Sequence, residues 1–153
     1  MKDHACLVLG IGLRAQARAS DVQALWLRAQ AALPALQRFC AMAVLQGKEQ
    51  HPALRAWRVA LPFDTALVAV PAQDLPGQPV ATQSPRLLAR YGTGSVAEAV
   101  ALRAAGPASA LLLPRLVADD GSATLAAALR RSGPFNCCLA AARAATESQG
   151  VTA

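Results

Sequence analysis

The stretch "ACLVLGIG", Ala5 to Gly12, is the strongest constraint on how this chain can fold. It is continuously apolar but far shorter than the ~18 residues of a membrane span. It is also too short and too glycine-bounded for a secretory leader. A run of this kind reads as a strand buried on both faces. Such a strand needs cover above and below, and that demand excludes two-layer arrangements with one wet sheet face. Gly10-Ile11-Gly12 is read as the tight turn that ends the strand.

Helical and strand patterns alternate after it. Ser20-Asp21 reads as an N-cap, and Val22, Leu25, Trp26, Ala29 and Leu33 follow at helical spacing until Pro34. Phe39 to Leu45 is a second apolar run. The polar loop Gln46-Gly47-Lys48-Glu49 follows, and Pro52 opens a helix that Pro62 ends. His51 is read as a surface or capping residue. Ala66 to Val70 is a third strand. The segment from Pro71 to Pro85 is rich in Pro, Gly and Gln, with room for one helical turn at Pro71 to Leu75.

Ser84-Pro85 opens a short helix to about Arg90, which Gly92 to Gly94 breaks. Ser95 caps a helix from Val96 to Ala105, and Glu98 stands at capping-box distance from it. Gly106-Pro107 closes that helix. Ser109 to Leu113 and Ala123 to Leu129 are strands four and five, close enough in sequence for an antiparallel hairpin.

The fold expected is α/β: a three-layer single domain with a mixed, mostly parallel sheet and a C-terminal β-hairpin. The domain takes residues 1–130, and residues 131–153 form a tail, with Asn136 to Thr146 a possible helix. At 54% hydrophobic but 4% aromatic, the core must be built from Ala, Leu and Val, with closely approaching elements.

Function is less directly written. The cysteines Cys6, Cys40, Cys137 and Cys138 and the histidines His4 and His51 lack zinc-ligand spacing, so no metal and no cofactor are expected. Gly10-x-Gly12 lacks the third glycine of a dinucleotide fingerprint. Gly92-Thr93-Gly94-Ser95 lacks the Lys-Ser/Thr of a phosphate loop. No Ser/His/Asp arrangement stands out, and the catalytic residues stay unknown. Of 15 Lys+Arg against 9 Asp+Glu, thirteen are arginines, spread along the chain without an aromatic platform. That excludes a stacked nucleic-acid interface and suits a small polyanion.

In open α/β sheets, ligands gather at the carboxyl ends of strands. Three loops are expected there. They are Gly10 to Arg14, the loop holding Lys48, and the turn Gly92 to Ser95 at a helix N-terminus that favours anions.

The order of these signals resembles the CobE family, which is similar to the C-terminal domain of CbiG. The resemblance rests on "LGIGLR", on "GKEQHPALRAWRVALP" with its Lys-x-x-x-Pro-x-Leu, and on "SPRLL". It rests most of all on "YGTGSVAEAVALRAAG", and then on "ALLLPRL" followed by "ATLAAAL". It covers roughly Ala5 to Leu129. The resemblance implies a protein of cobalamin biosynthesis that binds or delivers a polycarboxylate precorrin or corrin intermediate. The short N-terminal apolar run and the lack of a membrane-length one set the expectation of a cytoplasmic location. Other corrin-pathway enzymes are candidate partners, with no nucleic acid and no membrane.

It implies as the alternative a hydrolase that opens a precorrin lactone, with Lys48, Glu49, Ser95 and Glu98 as the available parts. The substrate-binding residues expected are Gly10, Gly12, Arg14, Lys48, Gly92, Thr93, Ser95 and Arg115, with Glu98 as a structural cap.

Overall fold

A computed structural model describes residues 6–130. The tail, with Cys137, Cys138 and the helix expected from Asn136, lies outside the described residues, as does His4. Five strands form one sheet: β1 (Cys6–Leu13), β2 (Ala41–Leu45), β3 (Ala66–Val70), β4 (Ala110–Val117) and β5 (Ala123–Arg130). Their order is β3-β2-β1-β5-β4. β3, β2 and β1 are mutually parallel, and β5 is antiparallel to both β1 and β4. β4 therefore runs with β1, and four of the five strands point one way. The expected mixed sheet with its terminal hairpin is what forms.

The helices are α1 (Ala19–Ala32), α2 (Pro52–Ala60), α3 (Pro85–Tyr91) and α4 (Val96–Ala105). The period-two alternation of β1 sorts its side chains between two cores. Leu7, Leu9, Ile11 and Leu13 face α1 and α2, where they meet Val22, Leu25, Trp26, Leu54 and Trp57. Cys6 and Val8 face α4 and meet Ala99, Val100 and Leu102. The three layers follow from a strand with no wet face.

The two cores differ in grain. Aromatics concentrate under α1 and α2. Phe39 stacks on Trp57 at 5.9 Å, and Trp26 meets Trp57 edge-on at 5.6 Å. The buried Trp26 indole donates to the Leu36 carbonyl at 2.7 Å, which satisfies its one polar atom. The α4 side is built from small residues, as the composition requires.

The close approach there explains Gly10, and it corrects the expected turn. Gly10 and Gly12 lie inside β1, paired with both β2 and β5 or with β5 alone. A Cβ at Gly10 would collide with the Ala97 carbonyl oxygen and come within 2.9 Å of the Ala101 Cβ. Gly10 is glycine because a helix backbone lies across it.

Most other boundaries shift by one or two residues, while β4 runs four residues past the expected Leu113, to Val117, and so takes in Arg115. The α1 N-cap is Arg18 instead of Ser20 or Asp21. Asp21, in the first turn, accepts a hydrogen bond from the Arg18 backbone N–H at 2.8 Å.

Candidate functional site

The carboxyl ends of β1, β2 and β4 open onto a cleft of about 690 Å³. This size is within the range of small-molecule sites. Its floor is apolar, from Ile11, Leu13, Leu45, Leu87, Val96 and Val117. Among the described residues five cations rim it, Arg14, Lys48, Arg86, Arg90 and Arg115, and no Asp, Glu or His lines it. A smaller hollow of about 240 Å³ lies between α1 and the β4–β5 turn. Its Arg18 and Arg28 are outnumbered by Asp21, Asp119 and Asp120 among the lining residues, so it offers no excess of positive charge.

Each wall of the cleft has a local cause. Arg14 follows β1, and its backbone N–H donates to the Ser122 carbonyl at 2.8 Å, holding that loop against the hairpin turn. Lys48 sits in the turn after β2, where its N–H donates to the Leu45 carbonyl at 2.9 Å. His51 joins these two loops. Its Nδ1 accepts from the Ala53 N–H at 3.1 Å, and its Nε2 lies 2.9 Å from the Arg14 carbonyl oxygen. Only the neutral Nε2–H tautomer serves both partners. The capping role expected for His51 is therefore what it has, with a second bond that fastens the Arg14 loop.

Among the eight expected binding residues, Gly12, Arg14, Lys48 and Arg115 line the cleft together. Gly10 does not, being covered by α4. Gly92, Thr93 and Ser95 do not line it either. Gly92 has φ 72° and ends α3 as its C-cap, a conformation glycine takes without steric cost. Thr93 is buried, and its hydroxyl lacks a hydrogen-bond partner among the described residues. Ser95 is fully buried, and its hydroxyl accepts from the Glu98 N–H at 3.2 Å. From this turn, Val96 is what reaches the cleft wall.

Glu98 is half of the capping box expected. Its own N–H takes the Ser95 cap, but its carboxylate does not return to Ser95. It is 0% exposed. Oε1 accepts from the N–H groups of Ala81 at 2.7 Å and Thr82 at 3.0 Å. Oε2 accepts from the Thr82 hydroxyl at 2.6 Å and the Arg115 N–H at 2.8 Å. Burial pushes its pKa up. The Thr82 hydroxyl and the three backbone donors outweigh that and hold it below the ordinary carboxylate value. Glu49 is likewise used locally, closing its loop by accepting from the Gly47 N–H.

Sequence reasoning missed Arg86 and Arg90 as site residues. They stand four apart on α3, so they share a helix face, and Arg90 lies over the Tyr91 ring at 5.0 Å. The available signal was two arginines at i and i+4 without an acidic partner in the same helix.

Comparison with known proteins places this geometry. Residues 7–128 match the family model described as cobalamin synthesis G C-terminus. No curated protein sequence matches the chain. Among solved structures, CobE, a protein from the cobalamin (vitamin B12) biosynthetic pathway, is 28% identical with a TM-score of 0.68, over 82% of this chain and 90% of that one. The cobalamin biosynthesis protein chiG from Agrobacterium tumefaciens is 27% identical with a TM-score of 0.60, over 82% of this chain and 99% of that one. A cobalamin biosynthesis protein G homolog from Sulfolobus solfataricus shares the fold at 20% identity and a TM-score of 0.54, over 84% of this chain and 38% of that one.

Proposed function

From the membership of this chain in the cobalamin synthesis G C-terminus family, and hence its place in cobalamin biosynthesis, we propose that its cleft binds and hands on a polycarboxylate precorrin or corrin intermediate. One observation carries this reading: five cations rim a wide apolar floor, and no carboxylate among the described lining residues competes for them. Carboxylates around the edge of a broad apolar ring would meet Arg14, Lys48, Arg86, Arg90 and Arg115, while the ring covers the floor.

Magnitudes support a role for both parts. Solvent-exposed ion pairs give about 0.2–1 kcal/mol each, so five contribute about 1–5 kcal/mol. Micromolar binding corresponds to about 8 kcal/mol. Burying about 150 Å² of ring against the floor adds about 4 kcal/mol at 25 cal/mol per Å². Charge steers and orients the ligand, and apolar burial completes the affinity.

Binding is favoured over lactone hydrolysis because the acid–base candidates are committed elsewhere. Both Glu98 oxygens are occupied, Ser95 is buried, and Glu49 closes its own turn. A general base must reach the proton it removes.

The test is titration of the purified protein with hydrogenobyrinic acid, followed by visible absorbance and by assay for a released two-carbon fragment from a lactone-bearing precursor. A saturable spectral shift that weakens with salt, without release, is the expected result. No association at high micromolar concentration rejects the proposal, and fragment release replaces it with hydrolysis.

A further inference from the structure

We propose that Glu98 is the positioning residue of this cleft. Its carboxylate ties the wall bearing Arg86 and Arg90 to the strand bearing Arg115, and so fixes the spacing at which a polyanion is met. The inference rests on the binding reading above but concerns a residue that touches no ligand.

The geometry on both sides of Glu98 requires such a tie. α3 has no fully buried residue, and only Tyr91 at its C-terminal end packs against the α4-side core, so apolar packing alone does not fix its N-terminal end. Polar contacts flanking the helix locate it instead. Ahead of it, the Ser84 N–H donates to the Gly94 carbonyl at 3.1 Å, and Ala81 and Thr82 are held by Glu98. Thr82 stands four residues before Arg86, so displacement of one carries the other.

On the opposite side, the β4–β5 register shifts between Leu113 and Leu116. In that interval the Arg115 N–H turns to Glu98 Oε2 instead of to β5. A bulge of this kind re-aims a side chain. One buried carboxylate thus accepts from both walls.

The experiment combines hydrogen exchange with binding of hydrogenobyrinic acid by the full chain. Thr82→Val removes one donor to Glu98 and spares the carboxylate, while Thr82→Ser keeps the hydroxyl. Glu98→Gln is the stronger perturbation. In Thr82→Val and Glu98→Gln, amide exchange at Leu88 and Gly92 should accelerate about tenfold or more beyond whatever acceleration the β1 amides show through the global loss of stability. Affinity in Thr82→Val should fall about tenfold and return in Thr82→Ser. Removing Arg86 and Arg90 together should cost less in the Thr82→Val background than in wild type, because neighbouring roles are non-additive.

Uniform acceleration at every amide, or strict additivity with the α3 arginines, overturns the proposal and leaves Glu98 a stability residue. A wild-type chain that ignores the probe overturns the binding reading instead. The exchange pattern alone then decides: local acceleration upholds the positioning role, and uniform acceleration sinks it.

Discussion

Replacing Glu98 by Gln changes one atom and tests the buried tie quantitatively. The Gln carbonyl can keep the Ala81 and Thr82 N–H groups, at 2.7 and 3.0 Å in the native chain. The amide nitrogen then faces the Thr82 hydroxyl, which can rotate to accept, and the Arg115 N–H, which cannot. One buried donor is orphaned, at about 1–3 kcal/mol. The remaining bonds lose their charge assistance, which brings the expected loss to about 2–4 kcal/mol. A chain of this size shifts its Tm by about 2–4 °C per kcal/mol, so the melt should fall by roughly 5–15 °C.

The pH dependence has a definite sign. The folded pKa of Glu98 is held below its reference value of 4.5, so its contribution is fully present above that value and is lost as pH falls through the folded pKa. Protonated Glu98 resembles Gln. The gap between wild type and Glu98→Gln should therefore be widest near pH 7 and close progressively below about pH 4.5. Urea melts at pH 7 and pH 3.5 measure both quantities. A variant within 0.5 kcal/mol of wild type at pH 7, or a gap indifferent to pH, refutes the reasoning.

Gly10→Ala should destabilise by at least about 1–3 kcal/mol, the cost of overpacking, because the obstacle is the Ala97 carbonyl oxygen; a melt within 2 °C of wild type would show that α4 can retreat. Gly92→Ala places a side chain at φ 72° and should cost about 1–2 kcal/mol, readable by urea titration. Trp26→Phe leaves the Leu36 carbonyl unsatisfied and should cost about 1–3 kcal/mol with an altered near-ultraviolet spectrum. Arg14→Ala and Lys48→Ala should each weaken hydrogenobyrinic acid about two- to fivefold at low salt, and the difference should fade in 0.5 M salt; an effect that persists there assigns these residues a packing role.

Most of the architecture could be read locally, because it depends on spacing within one element. The apolar run of β1 implied cover on both faces, and Ser84-Pro85 and Ser95 marked helix starts at their observed places. The failures share a physical origin in partners distant along the chain. Gly10 looked like a turn because nothing near it in sequence announces the α4 backbone lying across it. Ser95 and Glu98 fit a capping box, but the donors that take the Glu98 carboxylate lie 16 or 17 residues away. Arg14 and Lys48 were legible as cations in strand-end loops, and Arg115, which lies within β4, only through the family resemblance. Arg86 and Arg90 were not, since their place at the rim depends on how the connection from Pro71 folds back.

The strand order also bears on how the chain assembles. β5, the last strand among the described residues, sits between β1 and β4, and joins the two parts of the sheet. During synthesis from the N-terminus, β3, β2 and β1 can associate first, while the open side of β1 waits for a partner more than 100 residues downstream, Leu13 pairing with Ala123 and Cys6 with Arg130. Such long-range closure slows folding. Until it occurs, the central strand of the sheet is an unguarded apolar edge. Nascent or truncated chains lacking Ala123–Arg130 should therefore be the species that a chaperone holds or that aggregates.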